Sequence, residues 1–271
     1  MTDYLSHENI SSGLKTKFVG RNLYVFDELD STNMTACEMA AKGAAEGTLV
    51  VADGQKAGRG RFGRKWYSPS GINLYLSVIL RPSIKPELVS QLTLVAAVAL
   101  VDALSPFIST RKRVEIKWPN DILVQGKKCA GILSEMKMDK SDVGYVVLGI
   151  GVNVNLRDHM IPAELSDIST SLLMESSDKE EVNRAQVLQS ICENMETWYI
   201  KYQRDGFGEV KKAWNNYSGI NGKYVKVASS KKGGVHDYET GKALGINDDG
   251  ALLLVKKNGE VVEVYAGDII L

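Results

Sequence analysis

The residues best suited to chemistry lie at positions 53–66, where the chain reads Asp-Gly-Gln-Lys-Ala-Gly-Arg-Gly-Arg-Phe-Gly-Arg-Lys-Trp. Gly54, Gly58, Gly60 and Gly63 are interleaved with Lys56, Arg59, Arg61, Arg64 and Lys65, and no acid follows Asp53. Glycine lets backbone come close to a ligand, and successive N–H groups of a turn-rich segment form a concavity for anions. Arginine adds a permanently charged planar fork that matches carboxylate and phosphate oxygens. Trp66 ends the run with a flat face on which a base can stack. This composition describes a cationic flap for a phosphorylated, adenine-bearing ligand; the plain alternative is a solvated basic surface loop.

Two familiar phosphate sites do not fit. Gly58-x-Gly60-x-x-Gly63 satisfies the dinucleotide spacing, but that fingerprint must open a helix inside a βαβ unit. Residues 66–80 instead read as a turn, with Pro69 and Gly71 as breakers, leading into another strand. No Gly-x-x-x-x-Gly-Lys-Ser/Thr segment occurs, which excludes a Walker-type phosphate loop.

Lys plus Arg equals Asp plus Glu, 33 each in 271 residues, so the basic cluster stands on a neutral background. A small anionic ligand suits that balance better than a long polyanion. Cys37, Cys129 and Cys192 are scattered, and His7, His159 and His236 stand near none of them. Neither a zinc site nor His-dependent triad chemistry is expected, and sparse cysteine suits a reducing compartment. The N-terminus carries no signal pattern and no uninterrupted apolar run reaches membrane-spanning length. The expectation is a cytoplasmic protein without a membrane partner.

The elements that must position the loop follow from periodicity. Residues 23–26, 48–52 and 73–80 read as strands, and residues 34–42 as a helix introduced by Asp30-Ser31-Thr32-Asn33. Those four are good N-caps, and the same hydroxyl and amide groups can hold a polar ligand. Residues 86–103 form a long apolar helix for the core. Residues 113–118 alternate as a strand with Val114, Ile116 and Trp118 on one face and Arg113, Glu115 and Lys117 on the other; Trp118 is expected in the core. Pro119-Asn120-Asp121 ends that strand, and residues 122–124, 127–135 and 143–154 continue as strands. The last two carry Gly131, Gly149 and Gly151, marks of close approach by a ligand or backbone. Residues 169–174 form a short cap, and residues 184–203 and 207–216 read as helices. After about Gly219 come short strands with Gly-containing turns, including Gly233-Gly234: a small β-barrel of about fifty residues. The pattern is α+β, with a mixed or antiparallel central sheet and flanking helices, divided into residues 1–218 and 219–271.

Five motifs occur in one order: Asp-Ser-Thr-Asn at 30–33, Gly-Arg-Gly-Arg-x-Gly-Arg-x-Trp at 58–66, Lys-Trp-Pro-Asn-Asp at 117–121, Ala-Gly-Ile-Leu at 130–133 and Gly-Ile-Gly-Val-Asn-Val at 149–154. Together they resemble the biotin–protein ligases, and the resemblance covers the chain from about Leu23 to Leu271. It implies a class II synthetase-like catalytic fold with a C-terminal SH3-like domain. It also implies a two-step reaction: biotin and ATP with Mg2+ give biotinyl-5′-AMP, whose acyl group passes to a lysine of a biotin carboxyl carrier protein of a biotin-dependent carboxylase.

Carried over by position, the resemblance implies that Ser31, Thr32 and Gln55 bind the ureido ring, with Asn33 beside them and the backbone of Gly58 and Arg59 closing the pocket. Arg61 folds over the biotin carboxyl and phosphate, Arg64 contacts phosphate, and Trp66 packs over adenine. Lys117 bridges carboxyl and α-phosphate as the second catalytic residue beside Arg61. Gly131 and Leu133 form the floor, and Asn153 reads adenine. The resemblance also makes a homodimer plausible. Operator binding needs a winged module of roughly sixty residues, against about twenty before the first strand, so no DNA operator is expected. Competing readings are a lipoate–protein ligase or octanoyltransferase of the same fold, and a non-catalytic nucleic-acid-binding module. The glycine and charge content further implies that residues 54–65 are mobile until a ligand orders them.

Overall fold

The computed structural model describes residues 5–230 and 236–270. Its N-terminal part is a seven-stranded mixed sheet with helices on both faces. After a short helix α1 (His7–Ser11), β1 (Leu23–Leu29) runs parallel to β2 (Leu49–Gln55), and the crossover between them carries α2 (Thr32–Ala41). Every other pairing is antiparallel: β3 (Leu74–Leu80), β4 (Val114–Lys117), β5 (Asp121–Val124), β6 (Lys127–Asp139) and β7 (Asp142–Val152) complete the order β1-β2-β3-β7-β6-β5-β4.

The period of two along the strands divides the sheet into two unlike faces. Leu74, Leu76, Val78 and Leu80 of β3, with Val146, Leu148, Ile150 and Val152 of β7, point to the main core. There they meet α3 (Ser90–Leu104), in which all but Ser90, Thr93 and Asp102 are buried, and behind it α5 (Arg184–Asp205) and α6 (Gly208–Tyr217). The opposite face is covered at one end by Ala36 and Ala40 of α2, packed on Val50, Ile79 and Val147. The rest of that face carries Ser77, Gly131, Leu133, Gly149 and Gly151, a small-residue floor left open beside α2. With cover on both sides, β3 has all seven residues buried and reads as a continuous apolar run.

The stretch 86–107 is long and apolar enough by composition to cross a membrane, although it lies packed in this core, and Pro86–Leu88 forms a 3₁₀ turn ahead of α3. Trp118 is buried in the core as its strand face requires. A second difference from the sequence reading is at α2, which begins two residues early. Ser31 takes the N-cap position but its hydroxyl makes no capping bond, so Thr32 and Asn33 enter the first turn and face inward.

A short α4 (Leu172–Glu175) precedes α5. The C-terminal part is a five-stranded antiparallel sheet: β8 (Tyr224–Ser230), β9 (His236–Ile246), β10 (Leu252–Val255), β11 (Val261–Val264) and β12 (Asp268–Ile270), ordered β11-β10-β9-β8-β12. The expected Gly233-Gly234 turn lies outside the described residues. Ala243, Ile246 and Leu252 join the same apolar cluster as α3, and Trp118 Nε1 and Gln91 Nε2 donate to the carbonyls of Gly250 and Asp248 at 3.4 and 2.9 Å. The second sheet is therefore seated on the first part through shared core, which brings β12 beside the basic loop.

Candidate active site

A cavity opens over the small-residue floor, bounded by the start of α2, residues 55–67 and a segment at 156–169. Its floor follows from strand register. Gly131 stands opposite Gly151, and Gly149 stands opposite both Leu133 and Ser77. A methyl group at Gly149 would lie 1.9 Å from Asn33 Oδ1, and one at Gly151 would lie 2.5 Å from the Trp66 indole. The glycines are thus required by the side chains that lie on them, because no real Cβ contact is that short. Gly149→Ala is expected to lower stability by about 1–3 kcal/mol, read by urea unfolding, since three hydrogen bonds hold Asn33 in place. Gly208→Ala, with nothing within 4 Å, is the neutral control.

One end of the cavity is polar, and its hydrogens can be counted. Ser77 Oγ donates to Asn33 Oδ1 at 2.6 Å, because an amide oxygen has no hydrogen to give. The 2.8 Å contact between Ser77 and Thr32 then takes the Thr32 hydrogen, unless it goes to Gln55 Oε1 at 3.2 Å. Either way the Thr32 hydroxyl is left with lone pairs alone, an acceptor for an N–H donor. Gln55 is pinned by Thr32 N–H at 2.9 Å and by donation to Ser68 Oγ at 3.0 Å. Ser31, buried and without a capping bond, keeps its hydroxyl free for the cavity.

The other end is cationic. Residues 59 and 65 pair across a small hairpin closed by a 3₁₀ turn at Arg61–Gly63. Phe62 and Gly63 both have positive φ, 56° and 74°, which reverses the chain within two residues. Arg61 and Arg64 flank the exposed Phe62 ring at 4.8 and 6.0 Å from its centroid. Both reach the same carboxylate on β12: Arg61 donates to Asp268 Oδ1 at 2.9 Å and Arg64 pairs with Oδ2. Arg61 also donates to the Gly267 carbonyl at 3.0 Å and to Asn120 Oδ1 at 3.3 Å. Burial pushes the Arg61 guanidinium below its usual range against the pull of Asp268. The loop is anchored at one end by Asp268 and at the other by an Arg59–Glu135 pair at 3.1 Å.

Of the residues singled out from sequence, Ser31, Thr32, Asn33, Gln55, Arg59 and Arg61 line the cavity, as do Arg64, Trp66, Gly131, Leu133 and Asn153. Gly58 and Lys117 do not. Gly58 accepts from Trp66 N–H at 2.9 Å, and a side chain there would strike the Trp66 carbonyl, so it shapes the loop from behind. Lys117 ends β4 opposite Asp121, half-buried; burial lowers its ammonium pKa while Asp121 raises it. Asn33 lines the cavity but its amide is fully used, its Nδ2 donating to Leu133 O at 3.3 Å and Glu135 Oε2 at 2.8 Å. Asn153 Nδ2 donates to Thr170 O at 2.9 Å, which fixes the amide at the cavity wall. Trp66 lies flat on the glycine floor with a buried Nε1 that has no partner, 5.1 Å below the Lys128 ammonium.

Sequence reasoning missed Lys128, whose ammonium pairs with Asp121 at 2.6 Å, and an apolar wall of Leu156, Ile161, Leu165 and Ile168. The wall stands on two 3₁₀ turns, Asp158–Met160 and Ala163–Leu165, and carries no strand or helix period by which to find it. The thiols offer no nucleophile: burial pushes Cys37, Cys129 and Cys192 up, Cys192 to about 12. Among the described residues no group of three or more His, Cys, Asp or Glu could hold a metal.

The model of the biotin/lipoate A/B protein ligase family matches residues 25–153, and that of the biotin protein ligase C terminal domain matches residues 222–271. The bifunctional ligase/repressor BirA of Bacillus subtilis is 43% identical over 265 residues, 98% of this chain and 78% of that protein. A biotin–[acetyl-CoA-carboxylase] ligase of Paracoccus denitrificans is 32% identical, over 88% of this chain and 98% of its own. The Aquifex aeolicus biotin protein ligase, solved in complex with biotin and ATP, is 31% identical with a TM-score of 0.74, covering 92% of this chain and 98% of that one.

Proposed function

The chain belongs to the biotin/lipoate A/B protein ligase family, and from that membership we propose that it is an ATP-dependent biotin–protein ligase. It joins biotin and ATP to biotinyl-5′-AMP and transfers the biotinyl group to a lysine of the biotin carboxyl carrier protein of a biotin-dependent carboxylase. The observation that carries this reading is the polar end of the cavity. A ureido ring offers two N–H donors and one carbonyl acceptor, and the site offers a Thr32 acceptor and an unspent Ser31 hydroxyl beside Gln55. A lipoyl dithiolane has no such groups and would leave the buried Ser31 hydroxyl unsatisfied, at about 1–3 kcal/mol.

In the first step a biotin carboxylate oxygen bonds to the α-phosphorus, the bond between the α- and β-phosphoryl groups breaks, and pyrophosphate leaves. Two like charges 4 Å apart repel by about 4 kcal/mol near a protein surface. Arg61, Arg64 and Lys117 oppose that repulsion at the cationic end, and the shut loop keeps water from the anhydride. Asn153 and the Trp66 face are assigned to adenine, with the 156–168 wall against it. In the second step the neutral amine of the acceptor lysine attacks the acyl carbon, AMP leaves and the amine gives up a proton.

The carboxylates at the site, Asp121, Glu135 and Asp268, are each paired with a cation. They offer no protein cage for Mg2+, so magnesium is assigned to the substrate, entering on the phosphate oxygens of ATP, as is usual for that ion. We also propose a homodimer formed at the sheet edge, where β1 has one strand neighbour, and no operator binding, in keeping with the neutral overall charge.

Incubation with ATP, labelled pyrophosphate and either biotin or lipoate tests the assignment. Pyrophosphate exchange into ATP is expected with biotin alone. Exchange that needs lipoate instead, or none with either acid, removes the reading.

A further inference from the structure

We propose that Glu135 is a positioning residue that holds the basic loop shut over the adenylate, an inference that rests on the ligase reading above. Glu135 lies on β6 in step with Gly131 and Leu133, so it faces the cavity side of the sheet rather than the core. Its carboxylate serves two different elements, with Arg59 reaching both oxygens and hydrogen-bonding Oε2 at 3.4 Å. Oε2 accepts from Asn33 Nδ2 at 2.8 Å, at the start of α2, and Oε1 stands 3.1 Å from the Arg59 guanidinium, in the loop. The Glu135 side chain is 27% exposed and that of Arg59 47%, so the carboxylate is partly withdrawn from water while its partner is not.

Asn33 is not a loose partner in this arrangement. Its second Nδ2 hydrogen goes to the Leu133 carbonyl, its oxygen accepts from the fully buried Ser77, and it rests directly on Gly149. The carboxylate it holds is therefore fixed to the sheet and not free to follow Arg59 outward. A continuous path of hydrogen bonds results, from Arg59 through Glu135, Asn33 and Ser77 to the Thr32 hydroxyl, with the Thr32 backbone N–H making the last link to Gln55. It couples the state of the loop to the groups assigned to the ureido ring. A filled ureido site stiffens the path, and a stiffer path keeps Arg59 and the loop in place. Asp268 secures the far end of the loop independently, through Arg61 and Arg64.

The pair separates by chemistry. Glu135→Gln keeps a carbonyl oxygen for Asn33 but removes the charge that attracts Arg59, so it opens the loop without disturbing the polar end. Labelled biotinyl-adenylate is formed on the enzyme in a single turnover, and its first-order escape into solution is followed. Escape is expected to quicken roughly fivefold in Glu135→Gln, the size of a part-exposed ion pair, while biotin-dependent pyrophosphate exchange at saturating substrates and the unfolding midpoint stay near the parent's. Arg59→Ala is expected to quicken escape to the same degree, and the double variant no further. Escape unchanged in Glu135→Gln overturns the proposal, as do single effects that multiply in the double variant, or a lowered midpoint with parental escape. A parent that shows no biotin-dependent exchange would instead overturn the ligase reading itself, so the two failures are distinct.

Discussion

Lys117→Ala is expected to reduce biotin-dependent pyrophosphate exchange by about a thousandfold or more, the upper range for losing one preorganised group opposed to developing charge. That is about 4 kcal/mol of barrier, against a small effect on folding, because the side chain is half-buried at a strand end. The argument is electrostatic. Forming the adenylate drives a carboxylate onto an already anionic phosphorus, and a cation removed from water acts more strongly there than an exposed one. Lys117 has that character: burial lowers its pKa, Asp121 and Asp268 raise it, and Lys128 and Arg64 lower it again. It does not line the cavity itself, so its part is to come forward when two anions enter the site. The same shift sets a pH limb. Only the protonated amine opposes the repulsion, so exchange falls as pH rises through the Lys117 pKa, which lies below the ordinary 10.5. In Lys117→Arg the charge persists at all working pH, and the limb moves upward with whatever activity remains. Parental exchange in Lys117→Ala would withdraw the catalytic role.

The second large effect is expected at Asp268, in the other sheet. Asp268→Ala leaves Arg61 with two neutral acceptors, the Gly267 carbonyl and Asn120, and Arg64 with the Arg61 carbonyl. Two neighbouring guanidinium groups then lose the carboxylate they share, and only Asp121 still acts on Arg61. The KM for ATP in the exchange reaction is expected to rise about tenfold and adenylate escape to quicken to a similar degree, because both cations lose their aim. Stability should fall by about 1–2 kcal/mol, less than the 3–5 of a fully buried pair because Asp268 is partly exposed. Asp268→Asn, which keeps the shape and drops the charge, belongs between the two. Steady-state kinetics with a urea melt separates the outcomes: a lower midpoint with unchanged ATP KM would mean that Asp268 only cements the sheets. On this reading the C-terminal sheet supplies the acid that the loop itself lacks.

Much of the molecule was open to reading in one dimension. The alternation in residues 113–118 placed Trp118 in the core and Lys117 on the other face, and the apolar period of residues 86–103 marked the central helix. Gly131, Gly149 and Gly151 stood out because glycine inside a strand asks for a reason, and two strands in register bring all three onto one face. Boundaries were less legible. The chain at 53–55 looked like loop, yet Gly54 and Gln55 extend β2 because β1 supplies partners at Glu28 and Leu29. At the start of α2 a run of four good caps concealed that Ser31 leaves its hydroxyl unused and that Thr32 and Asn33 turn inward.

What the sequence alone determined is the inventory: a loop too rich in glycine and arginine to be ordinary, a sheet with a small-residue floor, and motifs whose order marks a ligase of this family. What only the tertiary structure decided is who answers whom. The loop's charges are met by Glu135 and Asp268, which lie 76 and 207 positions away from their arginines, and the apolar wall at 156–168 closes over the cavity without any period of its own. Strand and helix signals are local, fixed by side chains two to four positions apart. An ion pair between distant segments depends on register and docking summed over the whole chain, so no local pattern contains it.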